Sequence, residues 1–138
     1  MSTMSRGRRI AGWVLTGLLT ASLLVSASGK LFGMAQVVEM MQKWGLGNHL
    51  LLIGIGELVS ALLFAIPKTH SLGVLLLSSY MGGAIVTHMQ HDEPFVIQSV
   101  YLLLIWVAGY LRHPELLQSF RQAAAPASKP VEAESASF

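Results

Sequence analysis

Glu57 is the residue whose position most demands an explanation. It sits in Leu50–Ile66, seventeen residues that are apolar except for Glu57 and Ser60. At 1.5 Å per residue, a carboxylate seven residues into such a helix lies about 10 Å below its start. An ionised group at that depth is costly in lipid and is expected to face protein, paired with another polar group. Other polar residues gather at a similar level: Lys30 closes one apolar run, Thr87 and His88 end another, and Gln98 and Ser99 begin a third. Helical spacing aligns Tyr80, Ala84, His88 and His91 on one face, Ile53, Glu57, Ser60 and Phe64 on a second, and Gln98 with Tyr101 on a third. We therefore expect one polar pocket built from Lys30, Glu57, Ser60, Tyr80, Thr87, His88, Gln98 and Tyr101. Its chemistry would be proton handling, or hydrogen bonding to a small polar molecule, in a low-dielectric interior.

Taken singly, each residue has a plainer role. Lys30 can anchor a helix at an interface, His88 can serve packing, and His91, Asp92 and Glu93 can be solvated cap residues. Their convergence in depth and face is what selects the pocket. His88 and His91, three residues apart, are the weak candidates for a metal, and no metalloenzyme spacing accompanies them, so no metal is assigned. A haem held by His49 and His88 has still less support. There is no glycine-rich nucleotide loop, no nucleophile motif and no cysteine. That removes disulfides, thiolate metal sites, iron–sulfur clusters and thiol redox chemistry.

The elements that must hold such a pocket follow from where charge is absent. The chain has 138 residues, 53% hydrophobic and only 12% charged, with a mean hydropathy of +0.58. A soluble domain averages roughly 25% charged residues. Uncharged or nearly uncharged runs cover residues 10–29, 50–66, 69–91 and 94–111, each near the length of a bilayer-crossing helix. The fold class expected is all-α: an integral membrane bundle of four transmembrane helices near 10–29, 50–66, 71–90 and 95–111. Asn48, Thr69 or Ser71, and Asp92-Glu93-Pro94 are candidate helix starts, and Pro67 a stop. Trp13, Trp44 and Tyr110 suit an aromatic belt. Between helices 1 and 2, Leu31, Met34, Val37, Val38, Met41 and Trp44 recur at three- and four-residue spacing, predicting a short amphipathic helix that Gly45 and Gly47 end.

The basic residues orient the chain. Arg6, Arg8 and Arg9, Lys68, and Arg112, Arg121 and Lys129 fall on one side of a four-span topology, and Lys30 and Lys43 on the other. The excess predicts both termini in the cytoplasm and a multi-pass protein of the bacterial inner membrane. The basic pI of about 9.2 is then a topology signal, and nucleic acid is not an expected partner. Residues 1–9 form a basic cytoplasmic N-terminus, 10–111 the membrane domain, and 112–138 a cytoplasmic tail, disordered after about 122. An alternative reading makes residues up to about 27 a cleaved signal peptide ending at Val25-Ser26-Ala27. Small residues (Gly12, Thr16 and Thr20; Gly17 and Ala21; Gly56 and Ser60; Ser78 and Gly82; Ser79 and Gly83) offer packing seams, and a homo-oligomer could use one of them.

Ser28-Gly29-Lys30-Leu31-Phe32-Gly33, Gly54-x-Gly56-Glu57-Leu58 and Gly83-Ala84-Ile85-Val86-Thr87-His88, in this order and spacing, resemble the DoxX-like family of small four-helix bacterial membrane proteins. The resemblance spans roughly residues 10–111. Its pattern singles out Lys30, Glu57 and His88. It implies an inner-membrane protein, some of whose relatives associate with membrane oxidoreductase complexes; the family takes its name from a subunit of a thiosulfate:quinone oxidoreductase. The expectation is a non-thiol subunit of a quinone-linked or electron-transfer complex, with quinone as candidate ligand and a redox enzyme or membrane protein as partner. In it His88 would donate a hydrogen bond or proton to a ligand carbonyl, Glu57 would tune or relay that proton, and Lys30 would stabilise negative charge. The competing expectation is a non-enzymatic assembly factor, chaperone-like partner or small-molecule carrier. No motif for stand-alone catalysis is present.

Overall fold

The structure is a computed structural model that describes residues 5–118. These form five α-helices and no strand: α1 (Arg6–Leu31), α2 (Ala35–Lys43), α3 (Leu50–Ala65), α4 (His70–Gln90) and α5 (Val96–Arg112), with 3-10 turns at Gly47–His49 and Pro114–Leu117. Three helical stretches, Arg6–Leu31, Gly47–Ala65 and His70–Gln90, are long and apolar enough to cross a membrane. Val96–Arg112 is also apolar but has 17 residues, a rise of about 25 Å against a hydrocarbon core of about 30 Å. Of the four expected spans, the fourth is thus the one that helix length does not establish. The tail after 118, with Arg121 and Lys129, lies outside the described residues.

The long helices are arranged so that α1 packs on α3 and α5, and α4 packs on α3 and α5. Leu19, Leu23, Ala61, Phe64, Val74, Leu77, Met81, Ile105 and Ala108 fill the centre, each 5% exposed or less. Outward positions carry Leu18, Val25, Leu52, Val96 and Leu103, all more than 60% exposed. An apolar exterior around an apolar centre suits a lipid surrounding. Hydroxyl groups follow the same constraint by bonding to carbonyls one turn back: Thr16 to Gly12, Ser60 to Gly56, Ser78 to Val74 and Thr87 to Gly83.

Helix ends differ in detail from expectation. α1 starts at Arg6, its Ser5 cap accepting from the Arg8 amide, so the basic segment forms the first turns of the helix. Asn48 caps nothing; it lies in the 3-10 turn, and α3 follows directly at Leu50. Thr69 precedes α4, but its hydroxyl donates to the Leu63 carbonyl at 2.9 Å. The end of the molecule remote from the termini is built by one repeated device. α1, α2 and α4 each end in a left-handed residue, Gly33 (φ 65°), Gly45 (φ 73°) and Asp92 (φ 54°). The next amide in each case bonds back to a carbonyl five positions earlier: Met34 to Gly29, Leu46 to Met41, and Glu93 to His88. The amphipathic helix is the shorter α2, and this device turns the chain sharply at both of its ends.

At the opposite end α3 and α4 meet at Gly73. A Cβ there would overlap the Phe64 nitrogen and Cα, both backbone atoms that cannot step aside. Around Gly82, by contrast, a Cβ would meet nothing within 4 Å. Gly73→Ala should therefore destabilise the protein by at least about 2 kcal/mol through overpacking. Gly82→Ala should stay within about 1 kcal/mol of wild type, on the stabilising side through helix propensity. Denaturation titrations in detergent, followed by circular dichroism, compare the two.

Candidate functional site

Lys30 ends α1 at its last turn, and Glu57 lies two turns into α3. Gly54 lets the two helices close: a Cβ at Gly54 would sit 3.1 Å from the Lys30 Cβ and from a Leu31 methyl. The result is a buried ion pair, with Lys30 Nζ 2.7 Å from Glu57 Oε2. Lys30 is 9% exposed and Glu57 1%. The ammonium also donates to Ser26 Oγ at 2.8 Å, one turn back on α1. The Tyr80 phenol from α4 lies beside the same carboxylate.

His88, in the last turn of α4, is held at both ring nitrogens. Nδ1 is 2.8 Å from the Ala84 carbonyl, which only accepts, so Nδ1 carries the proton and donates. Neutral His88 then presents a lone pair at Nε2, and Gln98 Nε2 from α5 donates to it at 2.9 Å. This corrects the role expected of His88: it has no N–H left to give a ligand carbonyl. Trp44, which follows α2 and precedes its glycine turn, packs edge-on against His88 with centroids 4.8 Å apart. It also packs on His91 at 5.6 Å. Trp44 is 8% exposed, so it plugs the interior and is no aromatic-belt residue.

Between these groups lies an open cavity of about 650 Å³. Seven of the eight expected residues line it: Lys30, Glu57, Tyr80, Thr87, His88, Gln98 and Tyr101. Ser60 does not. It is buried one turn further along α3, where its hydroxyl closes on the Gly56 carbonyl. His91 lies beyond the cavity, its Nδ1 donating to the Thr87 carbonyl at 2.7 Å. Among the described residues no group of three or more His, Asp or Glu could hold a metal ion. Sequence reasoning missed Ser26 and the contribution of α2, whose Met40, Met41 and Trp44 wall the cavity. The signals were present in the Ser26–Lys30 spacing of one turn and in the apolar stripe ending at Trp44.

The remaining polar residues serve a different end of the molecule. Arg112, read above as an orienting charge, is 8% exposed. Its guanidinium lies 4.0 Å over the Trp13 ring and donates to the Phe64 carbonyl at 3.3 Å. His70 Nδ1 adjoins both Arg112 and the Phe64 carbonyl, and its ring stacks on Phe64. These groups gather at the Phe64 carbonyl near the end of α3, where the helix dipole also favours a cation. Outside the helices, His113 lies 2.7 Å from Glu115. The backbone amide of Glu115, then His113, hold that carboxyl below the usual range. None of these residues lines the cavity.

The described residues form helices long and apolar enough to cross a bilayer, with an apolar outer surface, and this is a membrane protein. Its sequence matches the DoxX-like family over residues 14–109, and the chain belongs to that family. No curated protein and no solved structure matches it.

The ion pair makes its own prediction. Removing one partner of a buried pair strands the other and typically costs about 3–5 kcal/mol. Lys30→Met should lose about that much stability, whereas Lys30→Met combined with Glu57→Leu should recover most of it. Denaturation in mixed detergent micelles, run as a double-mutant cycle, measures the difference.

Proposed function

We propose that this DoxX-like protein is a non-thiol membrane subunit of a quinone-linked or electron-transfer complex, and that the cavity receives the quinone headgroup. The observation that carries the reading is the cavity itself. At about 650 Å³ it lies within the usual range of small-molecule sites, about 300–1,000 Å³. Its wall is mainly Leu, Ile, Met, Ala and aromatic side chains, interrupted by the Lys30–Glu57 pair, the Tyr80 and Tyr101 phenols and the His88–Gln98 pair. A flat ring with polar atoms at opposite edges suits that distribution. Electron transfer belongs to a partner redox enzyme, because the chain has no cysteine and no motif of its own for catalysis.

In this reading α5 completes a four-span bundle, crossing with help from a locally thinner bilayer or from polar residues at its ends. Arg6, Arg8, Arg9, Lys68 and Arg112 mark the cytoplasmic side of a bacterial inner membrane, with both termini there. The cavity then opens in the outer half. The cysteine-free chain allows a direct test. In intact spheroplasts a membrane-impermeant maleimide should label Asn48→Cys and spare Lys68→Cys; the opposite pattern would invert the topology.

The ligand reading is tested by binding. In lipid nanodiscs, Glu57→Gln and His88→Ala should each weaken decylubiquinone binding at least tenfold, since each removes a polar group that fixes the cavity wall. Wild-type affinity in both variants would sink the quinone reading. Recovery from native membranes of a colourless, quinone-free protein tightly bound to another membrane protein would favour an assembly factor instead.

A further inference from the structure

The Ser26 hydroxyl is set apart from the other hydroxyls of α1. Thr16 donates to the Gly12 carbonyl at 2.7 Å, Ser22 to that of Leu19 at 2.8 Å and Ser28 to that of Val25 at 2.7 Å. Each spends its one proton on its own helix. Ser26 Oγ instead accepts from Lys30 Nζ at 2.8 Å. An ammonium only donates, so this bond leaves the Ser26 proton free. Among the described residues that proton has no acceptor. The hydroxyl is on the cavity side. Ser26, Lys30 and Glu57 all line the cavity, and the ammonium beside Ser26 Oγ also holds Glu57 Oε2 at 2.7 Å. Ser26 is exposed, and so, at 68%, is Ile97 of α5, which lines the same cavity. The spare donor therefore stands where the cavity wall reaches the molecular surface.

Charge decides what such a donor can hold. Lys30 and Glu57 are the only Lys, Arg, Asp or Glu among the lining residues, and they neutralise each other. An anion brought there would be buried without a countercharge of its own. A neutral acceptor oxygen meets no such cost. A hydroxyl that already accepts from a cation is also polarised into a stronger donor. Resting on the quinone reading above, we propose that Ser26 is a binding residue that donates a hydrogen bond to a carbonyl oxygen of the ligand, with Lys30 acting through it. The cation then strengthens the grip on a neutral ligand without touching it and without giving up its carboxylate partner.

The test uses decylubiquinone as probe with the full-length protein in lipid nanodiscs. Ser26→Ala should weaken its binding about tenfold, the loss of one polarised hydrogen bond. Ser28→Ala, which removes a hydroxyl of the same helix already committed to its own backbone, should bind as wild type does. Infrared difference spectra add a readout that a purely structural role would not move. In wild type one carbonyl stretch of the bound probe should lie below its frequency in protein-free nanodiscs, and Ser26→Ala should return it toward that frequency. Wild-type affinity in Ser26→Ala, equal weakening by Ser28→Ala, or a carbonyl band that Ser26→Ala leaves in place would each overturn the role of Ser26 while leaving the quinone reading intact. If wild type itself failed to bind the probe, both would fall.

Discussion

A buried charge pair sets the terms for the rest of this molecule. Lys30 and Glu57 lie 2.7 Å apart with almost no exposure, and in an apolar interior neither is tolerable without the other. Keeping them together requires α1 and α3 to approach closely, which Gly54 permits. It also requires polar company for the remaining donors and lone pairs, which Ser26 and Tyr80 supply. Further polar groups, the Tyr80 and Tyr101 phenols and the His88–Gln98 pair, gather at the same cavity among mainly apolar neighbours. The helices leave space there, and α2 folds across it. The pair forms part of the cavity wall.

The opposite end solves a different problem with similar residues. Arg112 and His70 are as deeply buried as the ion pair, yet they face helix-terminal carbonyls and aromatic rings. They finish α3 and lock it to α4 and α5 where Gly73 brings backbone against backbone. Between the two ends lie Leu19, Ala61, Phe64, Leu77 and Ile105, all essentially inaccessible. Polar clusters at both ends of a membrane protein invite the idea of a path between them. Here the intervening layer is apolar and buried.

Most of the architecture was legible because lipid imposes a strict rule on sequence. Charge-free runs of membrane length mark helices almost unaided, and a carboxylate such as Glu57 inside one stands out. Seven of eight expected site residues meet at one cavity for the same reason: at common depth, polar groups have nowhere else to go. What escaped the sequence was orientation about a helix axis and hydrogen-bond direction. Ser60 shares the face of Glu57, but its hydroxyl is satisfied locally by its own helix. Arg112 reads as a surface cation because nothing in the sequence shows Trp13 waiting across the bundle. Trp44 reads as an interface residue until α2 is seen to turn inward at two left-handed glycines. The role of His88 needed the identity of its neighbours, since the Ala84 carbonyl and the Gln98 amide together decide its tautomer.

The buried layer and the cavity share residues. Leu23 and Met81 line the cavity and belong to the apolar core as well, so the wall on that side is continuous with the layer that separates the two polar ends. A substitution at either residue would act on the cavity and on the core at once.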